Sequence, residues 1–333
     1  MAACPSHQSW GSGATVAFVL LRLLQGFCLG GELPGAITYV VEAARPGRAG
    51  LACGLLFGSA SMGVVLASGV SAGLHSVLSA PAMAEYGWRL AFALGGALGL
   101  LSYLPRRQLL ESPGFARMRE RQGAERAPLA IVLRRDLGRV AAGFGVTAVV
   151  AAFNGILFAY LPAYLVRVAG YPAPAVASAM TAGLVVNALA ALGAGALSDL
   201  VPGRTVYRLG ALAVLLASWP FFRIVAAHGV APDTAGLGWL LAGFGALGGV
   251  ADGAFGVVLA DLFPTRVRFT GVALAFNASF AVFSGLAPVA AAGLVAATGD
   301  PATPGVYLAG VAMIALVASV WVKRLGGQVE AGR

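Results

Sequence analysis

Arg22, Gln25, Glu32 and Tyr39 stand within residues 22–42, RLLQGFCLGGELPGAITYVVE, a stretch that is otherwise solidly apolar. On a helix turning about 100° per residue they share one stripe roughly 100° wide. A guanidinium there can hold a carboxylate or couple to a proton-binding acid, while the amide and the second acid line a polar path. The alternative is structural: Arg22 and Glu32 lie near opposite ends of the run and pair or snorkel. An unpaired charge within a bilayer costs roughly 2.5–3.5 kcal/mol, so such groups face a cavity or each other. Asp252, in GGVADGAFG, is a second acid inside an apolar run, with Gly248, Gly249 and Gly253 beside it. A carboxyl in that setting suits reversible protonation, or the glycines admit a neighbour's donor that simply satisfies it. Asn154 and Asn277 offer further hydrogen bonds, to a cavity or between helices. Tyr160 and Tyr164, four residues apart beside Pro162, either close one end of a passage or belong to an interfacial aromatic belt.

Other chemistry finds no support in the sequence. It contains no HExxH and no GxxxxGK[ST]. Cys4, Cys28 and Cys53 show neither metal nor disulfide spacing and read as small hydrophobes. No catalytic or metal-binding residue is expected, and without a phosphate loop this chain does not itself use ATP.

The elements that must carry these residues are membrane helices. Hydrophobic types make up 59% of the 333 residues and charged types 11%, against about 25% charged in soluble domains. Runs long enough to cross a bilayer about 30 Å thick recur near 14–41, 50–74, 88–105, 138–166, 174–199, 206–228, 236–261, 268–297 and 304–323. The polar segment 106–137 separates three of these spans (1–105) from six (138–326), and 327–333 forms a short tail. Most of the Lys and Arg residues fall in alternate loops, which marks that side as cytoplasmic. The C-terminus is therefore expected inside and the N-terminus outside. The net charge of +9 is then an orientation signal, and no nucleic-acid partner is expected.

Three stretches carry a resemblance. RLLQGFCLGGELPG (22–35) resembles the fourth-span signature of the major facilitator superfamily. GALSDLVPGR (195–204) resembles that superfamily's cytoplasmic loop motif, and DLFPTRVRFTGVALAFN (261–277) with FSGLAP (283–288) looks like its metabolite:proton symporter branch. ESPGF (111–115) matches the start of that branch's central loop. WP (219–220) and LVAATGDPATPGVYL (294–308) look most like citrate and tricarballylate symporters, while 263–277 is about as similar to proline/betaine symporters.

The resemblance implies an all-α membrane protein with a major facilitator fold, and it implies that spans one to three and the first-half loop motif lie outside this chain. Residues 1–105 would be spans four to six and 138–326 spans seven to twelve. It further implies a monomeric inner-membrane symporter that moves an organic acid such as citrate with protons, without other cofactors. Arg22, Gln25, Glu32, Asp252, Asn277 and Asn154 would line the substrate and proton pathway, with Tyr160 and Tyr164 as a gate. Gly195, Asp199 and Arg204 would form the conformational loop motif, weakened by Pro202 and Gly203 at positions where the family carries glycine and arginine. A proline/betaine symporter and a transport-incompetent fragment are the alternatives.

Overall fold

The computed structural model describes residues 2–5, 7–107, 128–228 and 234–327. ESPGF, the arginines from Arg117 to Arg126 and the tail from 328 onward lie outside the described residues. Long apolar runs without water to satisfy their backbone must close their hydrogen bonds internally, and they do so as helices. Among the described residues, nine helices are long and apolar enough to cross a membrane. They are α1 (Ser12–Ala43), α2 (Ala49–Val77), α3 (Ala80–Leu104), α4 (Leu137–Arg167), α5 (Ala173–Leu197), α6 (Gly203–His228), α7 (Thr234–Ala260), α8 (Arg268–Thr298) and α9 (Pro304–Leu325). Each of the nine spans expected from the sequence corresponds to one of these helices, most with ends shifted by a few residues, while α3 starts at Ala80 and not at residue 88.

The chain forms two compact units, one of residues 1–33 and 63–111, the other of residues 34–62 and 112–333. The first boundary falls at Pro34, whose ring cannot accept a neighbouring turn in the usual way, although α1 continues through it. In the first unit, Phe92 of α3 meets Phe18 of α1 and Trp88 edge to face. Arg89 ties this unit's N-terminal segment down by donating to the carbonyls of Glu85 at 2.7 Å and Cys4 at 2.9 Å.

In the second unit, α5 and α7 pack through small residues. A Cβ at Gly183 would lie 3.0 Å from the Leu241 carbonyl oxygen, and Gly249 and Gly253 of α7 back directly onto Asn187 and Ala191 of α5. This is the close backbone approach that small residues allow in lipid. Helices α4 and α8 each contain a π segment, Gly155–Tyr160 and Phe280–Ser284. The two widened turns meet: a Cβ at Gly155 would lie 2.7 Å from the Ser284 carbonyl oxygen. A carbonyl loosened by the second segment, that of Phe283, accepts the Tyr307 hydroxyl of α9 at 2.5 Å. An aromatic core of Phe153, Phe221, Phe222 and Phe244 fills the interior between α4, α6 and α7. Trp239 and Val289 lie exposed on the outside, as lipid-facing positions of a membrane bundle must.

Candidate functional site

Asp252 of α7 is buried, 4% exposed, in the interior of the second unit. Two amides hold its carboxylate: Asn154 of α4 donates through Nδ2 to one oxygen at 3.4 Å, and Asn187 of α5 to the other at 3.3 Å. Among the described residues no cation pairs with it. The glycines around Asp252 do admit a neighbour's donor, and that donor is Asn187, whose backbone lies against Gly249. Asn187 also donates to the Gly245 carbonyl at 3.1 Å, and its Oδ1 accepts the Ser61 hydroxyl of α2 at 2.7 Å. One carboxyl, two amides and a hydroxyl thus form a continuous chain across four helices, buried except at the half-buried Asn154. Such a site can take up and release a proton, because neutral donors satisfy the carboxylate without fixing its charge. Neither Asn187 nor Ser61 was picked out from sequence. The available signal was a lone amide in the Ala/Val/Leu run of α5.

Beyond Ser61, α2 closes on α5 without intervening side chains. Cβ atoms at Gly54 and Gly58 would lie 2.6 Å and 3.0 Å from the carbonyl oxygens of Ala191 and Ala188. Gly195 of the expected loop motif belongs to this seam, since a Cβ there would meet the Gly54 Cα at 2.7 Å. At the seam's end, Asp199 accepts from the Gly50 amide at 2.7 Å and the Leu51 amide at 2.9 Å. Those amides are orphan donors of the first turn of α2, and a carboxylate there also meets the positive end of the helix dipole. Arg204, the third motif residue, is exposed and lines a cleft of about 450 Å³ with Asp199, Asp261 and Gly203. The motif thus keeps its helix-capping acid despite Pro202.

A second buried charge pair lies at this end of the unit. Glu42, the penultimate residue of α1, accepts from Arg268 Nη1 at 2.8 Å, with both side chains about 5% exposed (6% and 4%). Arg268 Nε also donates to the carbonyls of Ala260 and Phe263 at 3.2 Å and 3.0 Å, which closes the C-terminal turn of α7. From sequence, Arg268 reads as one more loop charge. Its partner lies 226 residues away, a distance over which periodicity carries no information.

The remaining expected residues are placed as follows. Arg22 belongs to the first unit, donates to Gln25 at 3.1 Å and sits 5.3 Å and 5.4 Å from the ring centres of Phe18 and Phe92. Both it and Glu32 have exposed side chains. Asn277 of α8 is half-buried and donates to the Ala273 carbonyl one turn back at 2.9 Å. Tyr160 and Tyr164 are buried, with ring centres 5.4 Å apart. Tyr164 donates to the Pro301 carbonyl at 2.7 Å and packs edge to face on Phe222. They face the interior of the unit and not a lipid interface. No group of three or more His, Cys, Asp or Glu side chains suited to a metal occurs among the described residues.

Comparison with known proteins bears on what such a site serves. The family model described as "Major Facilitator Superfamily" matches residues 1–283. The chain is similar to the citrate-proton symporter of Klebsiella pneumoniae, 29% identical over 327 residues, covering 96% of this chain and 71% of that protein. It is similar to the citrate-proton symporter of Salmonella typhi at 30% identity over 320 residues, covering 96% and 72%. A putative proline/betaine transporter of Staphylococcus aureus is 32% identical over 321 residues, covering 93% of this chain and 66% of that protein. In fold, the chain resembles a double-tryptophan mutant of XylE with a TM-score of 0.65 at 16% identity, covering 89% of this chain and 69% of that one. A second structure, of the proton:xylose symporter XylE, gives a TM-score of 0.56.

Proposed function

This chain belongs to the Major Facilitator Superfamily, a family of multi-pass membrane transporters and not of enzymes, and from that premise we propose that it is a proton-coupled symporter for an organic acid of the citrate class. The observation that carries the proposal is Asp252: a carboxyl buried in a membrane helix and held by neutral amides alone. It is the group suited to loading a proton on one side of a transport cycle and releasing it on the other. The citrate-proton symporters that resemble the chain support the substrate class. In the first unit Arg22, steadied by Gln25 and two aromatic rings, is the carboxylate-holding group, with Glu32 along the same stripe. Asn277 and Asn154 line the pathway in the second unit, and Tyr160 with Tyr164 closes it at one end. The protein works as a monomer in the inner membrane, with its C-terminus cytoplasmic and protons as the coupling ion.

A second reading, transport of proline or betaine, is favoured by the 32% identity to a putative proline/betaine transporter. Uptake of labelled citrate and of labelled betaine into proteoliposomes, with and without an imposed proton gradient, separates the two. Gradient-driven citrate uptake is expected. Arg22→Ala should lower it at least about tenfold, the loss of one charge-assisted bond to substrate, and Asp252→Asn should abolish the response to the gradient while leaving citrate exchange. Unimpaired gradient-driven uptake by both variants overturns the site assignment. Betaine uptake without citrate uptake overturns the substrate class.

A further inference from the structure

The chain of hydrogen bonds from Asp252 does not stop at the acid's own neighbours. It ends on α2, a helix of the N-terminal part of the chain, at Ser61. We propose that Ser61 and Asn187 are positioning residues that carry the protonation state of Asp252 to α2, so that the closely packed seam between α2 and α5 holds when the carboxyl is ionised and loosens when it is neutral. The inference rests on the reading of Asp252 as the proton-coupling group.

The direction of each bond supports it. The Ser61 hydroxyl donates to Asn187 Oδ1 at 2.7 Å, which turns the amide's nitrogen toward the other side. That nitrogen is shared between the Gly245 carbonyl and the Asp252 carboxylate, at 3.1 Å and 3.3 Å. A hydroxyl on α2 therefore sets which face of the amide Asp252 meets, and the ionised acid holds the amide in the orientation that accepts from α2. Protonation exchanges a charge-assisted acceptor for a weaker neutral one. The amide, whose nitrogen the Gly245 carbonyl still holds, is then less firmly fixed, and its bond from Ser61 is lost more readily. All members are buried except Asn154, which is half-buried, so water does not replace the lost bond at little cost.

The surroundings leave Asp252 as the group that titrates in this chain. From α4 and α5 the groups facing it are the two amides, and on α6 Gly210 packs against the α7 backbone at Ala251, next to Asp252 in the chain. On α2 the nearest titratable side chain is Cys53, fully buried against Gly256, one turn along α7 from Asp252. Past Ser61 toward Asp199, the seam is glycine on backbone, with contacts that fall off steeply once the helices part.

Cys53 supplies the measurement, because its sulfur reaches solvent only when α2 leaves α7. With Cys4 and Cys28 replaced by serine, the rate of Cys53 alkylation by N-ethylmaleimide is measured at one pH in lipid nanodiscs. Asp252→Asn, which presents the neutral form, and Ser61→Ala should each speed the reaction at least about tenfold. The double variant should be no faster than the faster single one, and Ser61→Thr, which restores the hydroxyl, should react at the unmodified rate. Ser61→Ala as slow as the unmodified protein, or effects that multiply in the double variant, would overturn the coupling. If Ser61→Ala does not purify as a monodisperse protein, Asn187→Ala takes its place in the cycle, and a slow Asn187→Ala overturns the coupling equally. Failure of the underlying reading shows separately, as gradient-driven citrate uptake that survives Asp252→Asn.

Discussion

Replacing Glu42 tests whether the buried pair with Arg268 holds the second unit together at one end. At 2.8 Å and an effective dielectric constant of about 20, the attraction between two unit charges is about 6 kcal/mol before desolvation. Desolvation offsets most of that, so the pair itself contributes little net stability. The unpaired state is what costs. With Glu42 gone, Arg268 keeps its charge at 4% exposure and loses this carboxylate, while its bonds to the carbonyls of Ala260 and Phe263 remain. Loss of one partner from such a pair destabilises by about 3–5 kcal/mol. Glu42→Gln, which keeps a neutral acceptor, should fall near the lower figure and Glu42→Ala near the upper. Reversible unfolding in mixed micelles, titrated with SDS and followed by tryptophan fluorescence, reads these differences. The double variant Glu42→Ala/Arg268→Ala should cost less than the sum of its singles by more than about 0.5 kcal/mol, the coupling expected of groups in direct contact. A Glu42→Gln cost below about 1 kcal/mol, or singles that add within 0.5 kcal/mol, would show that the pair is solvated in the membrane and refute the argument.

Two further outcomes follow from the seam. Asp199→Ala should cost about 0.5–2 kcal/mol as a lost helix cap, with faster hydrogen exchange confined to the first-turn amides Gly50 and Leu51; unchanged exchange there would contradict the capping role. Gly54→Ala, whose Cβ would lie 2.6 Å from the Ala191 carbonyl oxygen, should destabilise by about 1–3 kcal/mol, whereas Gly26→Ala, with nothing within 4 Å of its Cβ, should be neutral to slightly stabilising. The same SDS titration checks both, and equal costs at the two glycines would contradict the packing described.

The helices were legible because apolar length alone decides a membrane span, and the Arg22–Gln25 contact because spacing on one helix is a local property. Asp252 stood out as a charge where charge is expensive. Its partners did not, because Asn187 and Ser61 become meaningful only once α5 and α2 lie beside α7, and contacts 126 residues apart in sequence leave no trace in periodicity. The sequence also offers several pairs of glycines four apart, among them Gly26 with Gly30 and Gly50 with Gly54. A Cβ at Gly26 would meet nothing within 4 Å, while Gly50, Gly54 and Gly58 carry the seam. The spacing marks where helices can approach, and only a partner's surface decides which occurrence is used. Arg268 shows the converse, a residue whose place beside a loop concealed a buried role.

The π segment of α4 bears on how the family's chains can change length. One extra residue in a helical turn advances everything beyond it by about 100° around the axis. Tyr164 meets Pro301 and Phe222 with that advance already included. A relative lacking one residue between Gly155 and Tyr160 would have a regular helix there and would present a different side chain to the same neighbours. Gaps of a single residue in this stretch are therefore changes of face and not of length, and an alignment that absorbs them elsewhere would assign the tyrosines to the wrong side of the helix.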